Sequence, residues 1–173
     1  MSMNGNNYSY DSTQPHAVDS VGSANYTYDA NGNMTYRNGQ TITWDAENRP
    51  VSVSVNSSVI AEFFYDGDGN RIKKIEGGET IIYINQYHEV NVTNGNVTSY
   101  YYLGGRLVAM KENTLLRYVH QDHLTGTSLM TDTSGNQIQT TMKYYPYGVT
   151  RSGAVPTDKK FTGQRLDTTG LYY

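Results

Sequence analysis

The feature that most restricts what this chain can fold into is a short turn pattern that recurs at unequal intervals. Tyr28-Asp29 precedes Asn31-Gly32-Asn33, Trp44-Asp45 precedes Asn48-Arg49, Tyr65-Asp66 precedes Gly69-Asn70-Arg71, and Tyr102 precedes Gly105-Arg106. The common pattern is an aromatic residue, an aspartate, a short gap, a glycine or asparagine, and then an asparagine or arginine. Each part has a turn-building role. The ring anchors the end of a strand, the carboxylate accepts backbone N–H groups as an Asx turn, and the glycine or asparagine takes the left-handed conformation. The intervals between Asp29, Asp45 and Asp66 differ. Length variation therefore falls in the turns while the motif keeps its place in each unit.

Between these turns the chain shows short alternating runs and no apolar period of 3.6 residues, which predicts an all-β, antiparallel hairpin array. Strands are expected over 41–44, 51–55, 59–65, 71–76, 79–85, 89–93, 97–103, 106–111, 115–120, 128–131 and 137–145. Asn38-Gly39, Gly77-Gly78 and Asn94-Gly95 accept positive φ at both positions and are expected to close two-residue hairpins. NVTNGNVT reads as the clearest of these. Residues 1–25 are read as a polar N-terminal segment or partial repeat, and 26–103 as the hairpin repeats.

Composition narrows the chemistry. Hydrophobic residues make up only 36% of the 173, yet 17 are tyrosine. Such a chain buries rings more than aliphatic side chains, each ring offering ~150–250 Å². A net charge of −3 and scattered basic residues, with only Lys73-Lys74 and Lys159-Lys160 adjacent, give no reason to expect a nucleic-acid partner. No segment approaches the length of a membrane span, so no membrane insertion is expected. The absence of cysteine excludes disulfides and thiolate chemistry. The N-terminal MSMNGNNYSYDS has no basic flank followed by an apolar run, so the chain as written is expected to carry no export signal.

The motifs YYLGGRLVAM, HQDHLTGTSLMTDTSGN, YYPYGV and FTGQRLDTTGLYY occur in one order. With the turn pattern, they make the chain resemble the YD-repeat, or Rhs-repeat, family, and residues 104–173 resemble the start of the Rhs-repeat-associated core. Within that core motif lie His120, Asp122, His123, Gly135, Tyr147 and Gly148. The resemblance implies a curved or spiral sheet forming part of a hollow β-shell, as in Tc toxin shell components, Rhs polymorphic toxins and teneurins. In bacterial members the shell holds a C-terminal toxin, and a downstream core segment cleaves the chain by an aspartyl autoprotease mechanism. Thr125-Gly126 stand where the family usually has Gly-Ser, and Val149 where an acidic residue is usual. The family's Tyr-rich Asp-Pro segment and autoproteolytic carboxylates are not in the sequence. The resemblance therefore implies shell material without protease or cargo, secreted or at the cell surface.

Candidate sites are few. Asp66-Gly67-Asp68-Gly69-Asn70 has the alternating oxygen ligands of a calcium loop but lacks its later ligands, so a hairpin turn is favoured and no metal is expected. His120, Asp122 and His123 could form a metal or acid-base cluster, against a plainer role in hydrogen-bonding a core turn. Glu76 and Glu79 flank Gly77-Gly78 as exposed strand ends, and no carboxylate pair stands out for hydrolysis. Tyr100 and Tyr144 are where ring faces could stack on a glycan. No cofactor and no catalytic residue is expected. The sequence supports a non-enzymatic scaffold whose partners are other YD-repeat segments or copies of itself through sheet edges. A self-assembling extracellular filament or adhesin, and a carbohydrate-binding module, are the alternatives.

Overall fold

The computed structural model describes residues 2–3, 6–10 and 14–173, with side chains from residue 7 onward. It divides into two compact units, residues 1–78 and 79–173. Each is an antiparallel meander in which a strand pairs with its neighbours in sequence.

In the first unit the strands are β1 (Ser2–Met3), β2 (Asn6–Tyr10), β3 (Val18–Val21), β4 (Ala24–Tyr28), β5 (Met34–Arg37), β6 (Gln40–Trp44), β7 (Pro50–Val55), β8 (Ser58–Tyr65) and β9 (Arg71–Glu76). Alternation places Ile42, Val53 and Ala61 in one cross-strand row, all nearly inaccessible to solvent. The adjacent row points the other way. There Thr43 and Ser52 share a hydroxyl hydrogen bond of 2.6 Å. An aliphatic face backed by a Ser/Thr face is what period-2 side chains produce when one side is buried.

In the second unit the strands are β10 (Glu79–Asn85), β11 (His88–Asn91), β12 (Asn96–Leu103), β13 (Arg106–Glu112), β14 (Leu115–Gln121), β15 (Thr127–Thr131) and β16 (Gln137–Ile138). A separate ribbon joins β17 (Thr140–Tyr144) to β18 (Thr150–Ala154). Its core consists of Tyr100, Leu107, Met110, Val119, Met130, Met142 and Val155, with Tyr102 and Tyr144 packed against it. Burying each of the larger side chains stabilises the unit by roughly 1.5–3 kcal/mol.

The turns differ from the expectations in instructive ways. Asn38-Gly39 is a two-residue hairpin with φ of 43° and 87°. Asn94-Gly95 is not. Asn91 pairs with Asn96, leaving a four-residue loop from 92 to 95 that Gly95 closes by donating its N–H to the Asn91 carbonyl. The cause is the Asn91 side chain, whose Oδ1 accepts the Thr93 N–H and forms its own Asx turn. Asn56-Ser57, which carries no glycine, does close a two-residue hairpin, with φ of 49° and 66°.

Strands β2 to β5 and β18 were not expected. Their sequences NNYSY, VDSV, ANYTY, MTYR and TRSGA hold too few aliphatic residues for alternation to show. The expected continuous strand over 137–145 breaks at Gln139, whose φ is 60°. Of the expected polar segment 1–25, residues 1, 4–5 and 11–13 lie outside the described residues. The expected motif boundaries at 25/26 and 103/104 do not coincide with the division between compact units at 78/79.

Candidate functional site: aspartate-closed loops and a buried ion cluster

Eight loops of one geometry recur among the described residues, beginning at Asp29, Asp45, Asp66, Asp122, Asp132, Tyr145, Lys160 and Asp167. In each, the first residue donates its N–H to the carbonyl of the fifth, and the fourth donates to the carbonyl of the first. The fourth residue is always left-handed: Gly32, Asn48, Gly69, Thr125, Gly135, Gly148, Gly163 or Gly170. Glycine fills six of these eight positions because an L side chain costs about 1–2 kcal/mol in that conformation.

The aspartate side chain completes the loop. Asp29 Oδ1 accepts the N–H groups of Asn31 and Asn33, both at 2.9 Å, while Oδ2 accepts Asn33 Nδ2 at 3.0 Å. Asp66 does the same with Asp68, Asn70 and Asn70 Nδ2, and Asp132 with Ser134, Asn136 and Asn136 Nδ2. Asp45 accepts the N–H groups of Glu47 and Arg49, and its second oxygen takes Arg49 Nε at 2.8 Å. Asp122 receives the N–H groups of Leu124 and Gly126.

In four of the loops an aromatic residue just before the first position supplies a brace. Tyr28 donates its hydroxyl to the Val18 carbonyl, Trp44 its indole N–H to Met34, Tyr65 its hydroxyl to Pro50 and Tyr144 its hydroxyl to Thr127. Successive loops are also tied together. Asn48 Oδ1 accepts the amide groups of Asn31 and Asn33, and Arg49 Nη1 donates to the Asp66 carbonyl at 3.2 Å while its guanidinium lies over Tyr65. Arg49 thus closes its own loop and bridges to the next.

These donors hold the aspartates in their ionised form. The Asn33 amide lowers the pKa of Asp29, the Arg49 backbone N–H that of Asp45, the Asn70 amide that of Asp66 and the Asn136 amide that of Asp132. A carboxyl with a depressed folded-state pKa stabilises the fold above its unfolded value near ~3.9, and that contribution disappears as pH falls through the folded value. Urea midpoints measured from neutral pH downward are expected to fall below about pH 4. The decline should be shallower in the double variant Asp45→Asn, Asp66→Asn, which keeps an acceptor oxygen and loses the titration.

Other predicted residues lie elsewhere. Arg71 opens β9 as a buried side chain, with its guanidinium over the Phe63 ring. Tyr102 packs edge-on to Tyr87 and leads into a two-residue Gly104-Gly105 hairpin, with no aspartate loop. Arg106 Nη2 reaches the Asp122 carbonyl at 2.7 Å. His120 Nε2 faces Thr131 Oγ1, Asp122 closes its own loop and His123 is exposed on that loop, so the three do not converge. Among the described residues no group of three or more His, Cys, Asp or Glu side chains could hold a metal ion. Both Asp66 oxygens are occupied by N–H donors, which suits a turn and not a cation site.

Three expectations are corrected. Glu76 is not an exposed strand end. It is buried and paired with the equally buried Lys74 at 2.9 Å. Tyr100 is 4% exposed and belongs to the core, so its ring has no face for a glycan. Tyr144 packs against Phe161 and uses its hydroxyl on Thr127, and burial pushes its pKa up.

The densest chemistry lies around Arg165, which was not among the candidate site residues. Arg165 Nη2 sits 2.5 Å from Glu89 Oε2, and Nη1 sits 2.7 Å from Asp158 Oδ2. Tyr100 donates to Glu89 Oε1 at 3.0 Å. The guanidinium lies over the rings of Tyr83 and Tyr100, and Lys159 Nζ lies over Tyr100 at 4.8 Å. Burial pushes the Lys159 ammonium down to about 8, with Arg165 adding to the effect. Burial also raises the Glu89 carboxyl in spite of Arg165, and raises the Tyr100 hydroxyl. For Arg165 burial opposes the charge, but Asp158, Tyr100 and Glu89 outweigh it.

The cluster fastens the C-terminal stretch onto β11 and β12. Thr127 reinforces it by donating its hydroxyl to the Lys159 carbonyl at 2.6 Å and its N–H to Lys160. The signal available in the sequence was Arg165 within FTGQRLD and Glu89 within HEV.

Loops closed by aspartate, braced by the preceding ring and repeated along an antiparallel meander define a YD-repeat wall. The profile of the Teneurin YD-shell family matches residues 2–169, and the chain belongs to that family. It is 30% identical over 170 residues to the tRNA3(Ser)-specific nuclease WapA of Bacillus spizizenii, covering 88% of this chain and 7% of that protein. It is 30% identical over 167 residues to the tRNA nuclease WapA of Bacillus subtilis strain 168, again covering 88% of this chain and 7% of the relative. A crystal structure of TcdB2-TccC3-Cdc42 superimposes with a TM-score of 0.73 at 19% identity, over 97% of this chain and 11% of that one. The Photorhabdus luminescens Tc holotoxin pore gives a TM-score of 0.69 at 20% identity, with the same coverage. At these identities the likeness to solved structures is one of fold.

Proposed function

We propose that this chain is a non-enzymatic segment of a YD-repeat β-shell that encloses or presents a C-terminal toxin, in a protein that is secreted or displayed at the cell surface. The observation that carries this reading is the linked series of aspartate loops. Asp29, Asp45 and Asp66 spend their carboxylates on backbone N–H groups, and Asn48 and Arg49 tie each loop to the next, which is the work of a wall. We place the nuclease activity named for WapA outside the matched segment, because the carboxylates of the loops and of the Arg165 cluster are engaged in structure. The proposed partners are the other shell repeats of the same assembly, met through sheet edges.

The test is limited proteolysis of a full-length polypeptide that carries this segment and a C-terminal cargo. Cargo is expected to resist digestion in the wild type and to become cleavable when Asp45→Ala and Asp66→Ala open the wall. Equal digestion of cargo in both would refute the enclosure. Light scattering of the 173-residue chain supplies a second check. A mass that grows without limit as concentration rises would move the function to self-assembly through edge strands.

A further inference from the structure

Three Asn-Gly pairs lie among the described residues, at 31–32, 38–39 and 94–95, and the turns around them treat the same dipeptide in two ways. A fourth pair, at 4–5, lies outside the described residues. Asparagine followed by glycine carries a latent reaction. The glycine backbone nitrogen can attack the asparagine side-chain carbonyl, and glycine has no side chain to hinder the approach. Two of the pairs have both reacting groups occupied. Asn31 Nδ2 donates to Asn48 Oδ1 at 3.0 Å, and Gly32 donates its N–H to the Asp29 backbone carbonyl at 3.1 Å. Asn94 Oδ1 accepts the Asn96 N–H at 2.9 Å, its Nδ2 donates to Glu79 Oε1 at 3.3 Å, and Gly95 donates its N–H to the Asn91 backbone carbonyl at 2.8 Å.

Asn38-Gly39 differs. The pair is the exposed tip of the two-residue hairpin between β5 and β6. Asn38 donates its backbone N–H to the Asn25 carbonyl at 3.2 Å, but among the described residues its side-chain amide and the Gly39 N–H have no hydrogen-bond partner. A Cβ built at Gly39 meets nothing within 4 Å, so the approach to the glycine nitrogen is open. Asn56-Ser57 closes a turn of the same length, but there a serine side chain stands on the attacking residue.

We propose that Asn38 is a self-modification site, deamidating through a succinimide to aspartate and isoaspartate while the turns at Asn31 and Asn94 hold the same reaction back. Gly39 N bonds to Asn38 Cγ and the Cγ–Nδ2 bond breaks. The displaced nitrogen leaves as ammonia, taking the proton that Gly39 gives up, and water opens the ring at either carbonyl. Isoaspartate routes the main chain through the side-chain carbon and lengthens the turn by one backbone atom. The Arg37–Gln40 pairing and the 2.9 Å bond from Arg37 Nε to Gln40 Oε1 are set for the shorter turn, so the isoaspartate form loosens the β5–β6 hairpin. The site goes beyond the wall role and does not depend on it.

The test is to age the 173-residue chain at mildly alkaline pH, both folded and unfolded in guanidinium chloride, and to map its peptides by mass spectrometry, with isoaspartate read by enzymatic carboxyl methylation. Relative to the unfolded chain, folding is expected to slow Asn31 and Asn94 at least about tenfold more than Asn38, because each must first break two hydrogen bonds or more. Asn38 is also expected to convert faster than Asn56, and at a rate that rises with pH, since the attacking nitrogen must lose its proton. Amide exchange at residues 34–37 and 40–44 is expected to quicken in the aged chain. It should stay unchanged in Asn38→Asp, which adds the charge without lengthening the backbone. An Asn31 or Asn94 slowed no more than Asn38, or an Asn38 that converts only in the unfolded chain, would overturn the proposal. Exchange unaltered by ageing would overturn the loosening of the hairpin.

Discussion

Replacing Arg165 with alanine is expected to destabilise the unit formed by residues 79–173 by about 3–5 kcal/mol, the cost of leaving a buried opposite charge without its partner. Glu89 and Asp158 would then face each other across a cavity lined by Tyr83 and Tyr100, with Lys159 the remaining cation. The wild-type Glu89 carboxyl is already raised by burial and is restrained by Arg165. Without the guanidinium it takes up a proton more readily. The deficit should therefore be largest well above the carboxylate range and should shrink as pH falls and Glu89 becomes neutral. Urea unfolding followed by circular dichroism across pH checks both the size and the slope. Adding Glu89→Gln to Arg165→Ala is expected to restore part of the loss, because it removes the orphaned charge. Arg165→Lys is expected to restore little, since one ammonium cannot make the paired contacts of a guanidinium with two carboxylates. An Arg165→Ala variant as stable as the wild type would show that the cluster does not hold the C-terminal stretch in place.

The second large effect is expected at Gly153. Its φ is 87°, and a Cβ built there would sit 2.0 Å from the Thr141 carbonyl oxygen and 2.9 Å from the Met142 Cα. Both obstacles are backbone, so no side-chain movement relieves them. Gly153→Ala is expected to cost roughly 2–5 kcal/mol, combining left-handed strain with overpacking, and to separate β17 from β18. Because Met142 belongs to the core, the loss should reach Met130 and Val155 as well. Thermal unfolding measures the cost, and amide exchange at residues 140–144 locates it. Gly32→Ala provides the contrast. It is equally left-handed, with a φ of 85°, but has open space around its Cβ, so only the conformational term of about 1–2 kcal/mol applies.

The sequence by itself determined the local grammar. Aromatic-Asp-x-x-Gly/Asn-Asn/Arg carries every atom its loop needs, because acceptor, donors and left-handed residue lie within five positions of one another. The all-β architecture followed from the same locality, as did strands such as 71–76 and 79–85, whose observed bounds match the expected ones. The polar strands β2 to β5 were illegible because Asn, Ser, Thr and Tyr serve strands and turns alike, and their place is set by pairing with neighbours.

Tertiary structure alone decided which rings are buried. Tyr100 and Tyr101 are adjacent in sequence, yet one is a core residue and the other a wall of an open cleft, because neighbouring side chains in a strand point to opposite faces. It also decided the Arg165 cluster. Its charges come from β11 and from the C-terminal stretch, two parts of the chain that are far apart in sequence and meet only when that stretch folds back over the sheet. A short motif records contacts made within its own turn. The burial that shifts Glu89, Tyr100 and Lys159 is a property of the packed unit, and no local pattern encodes it.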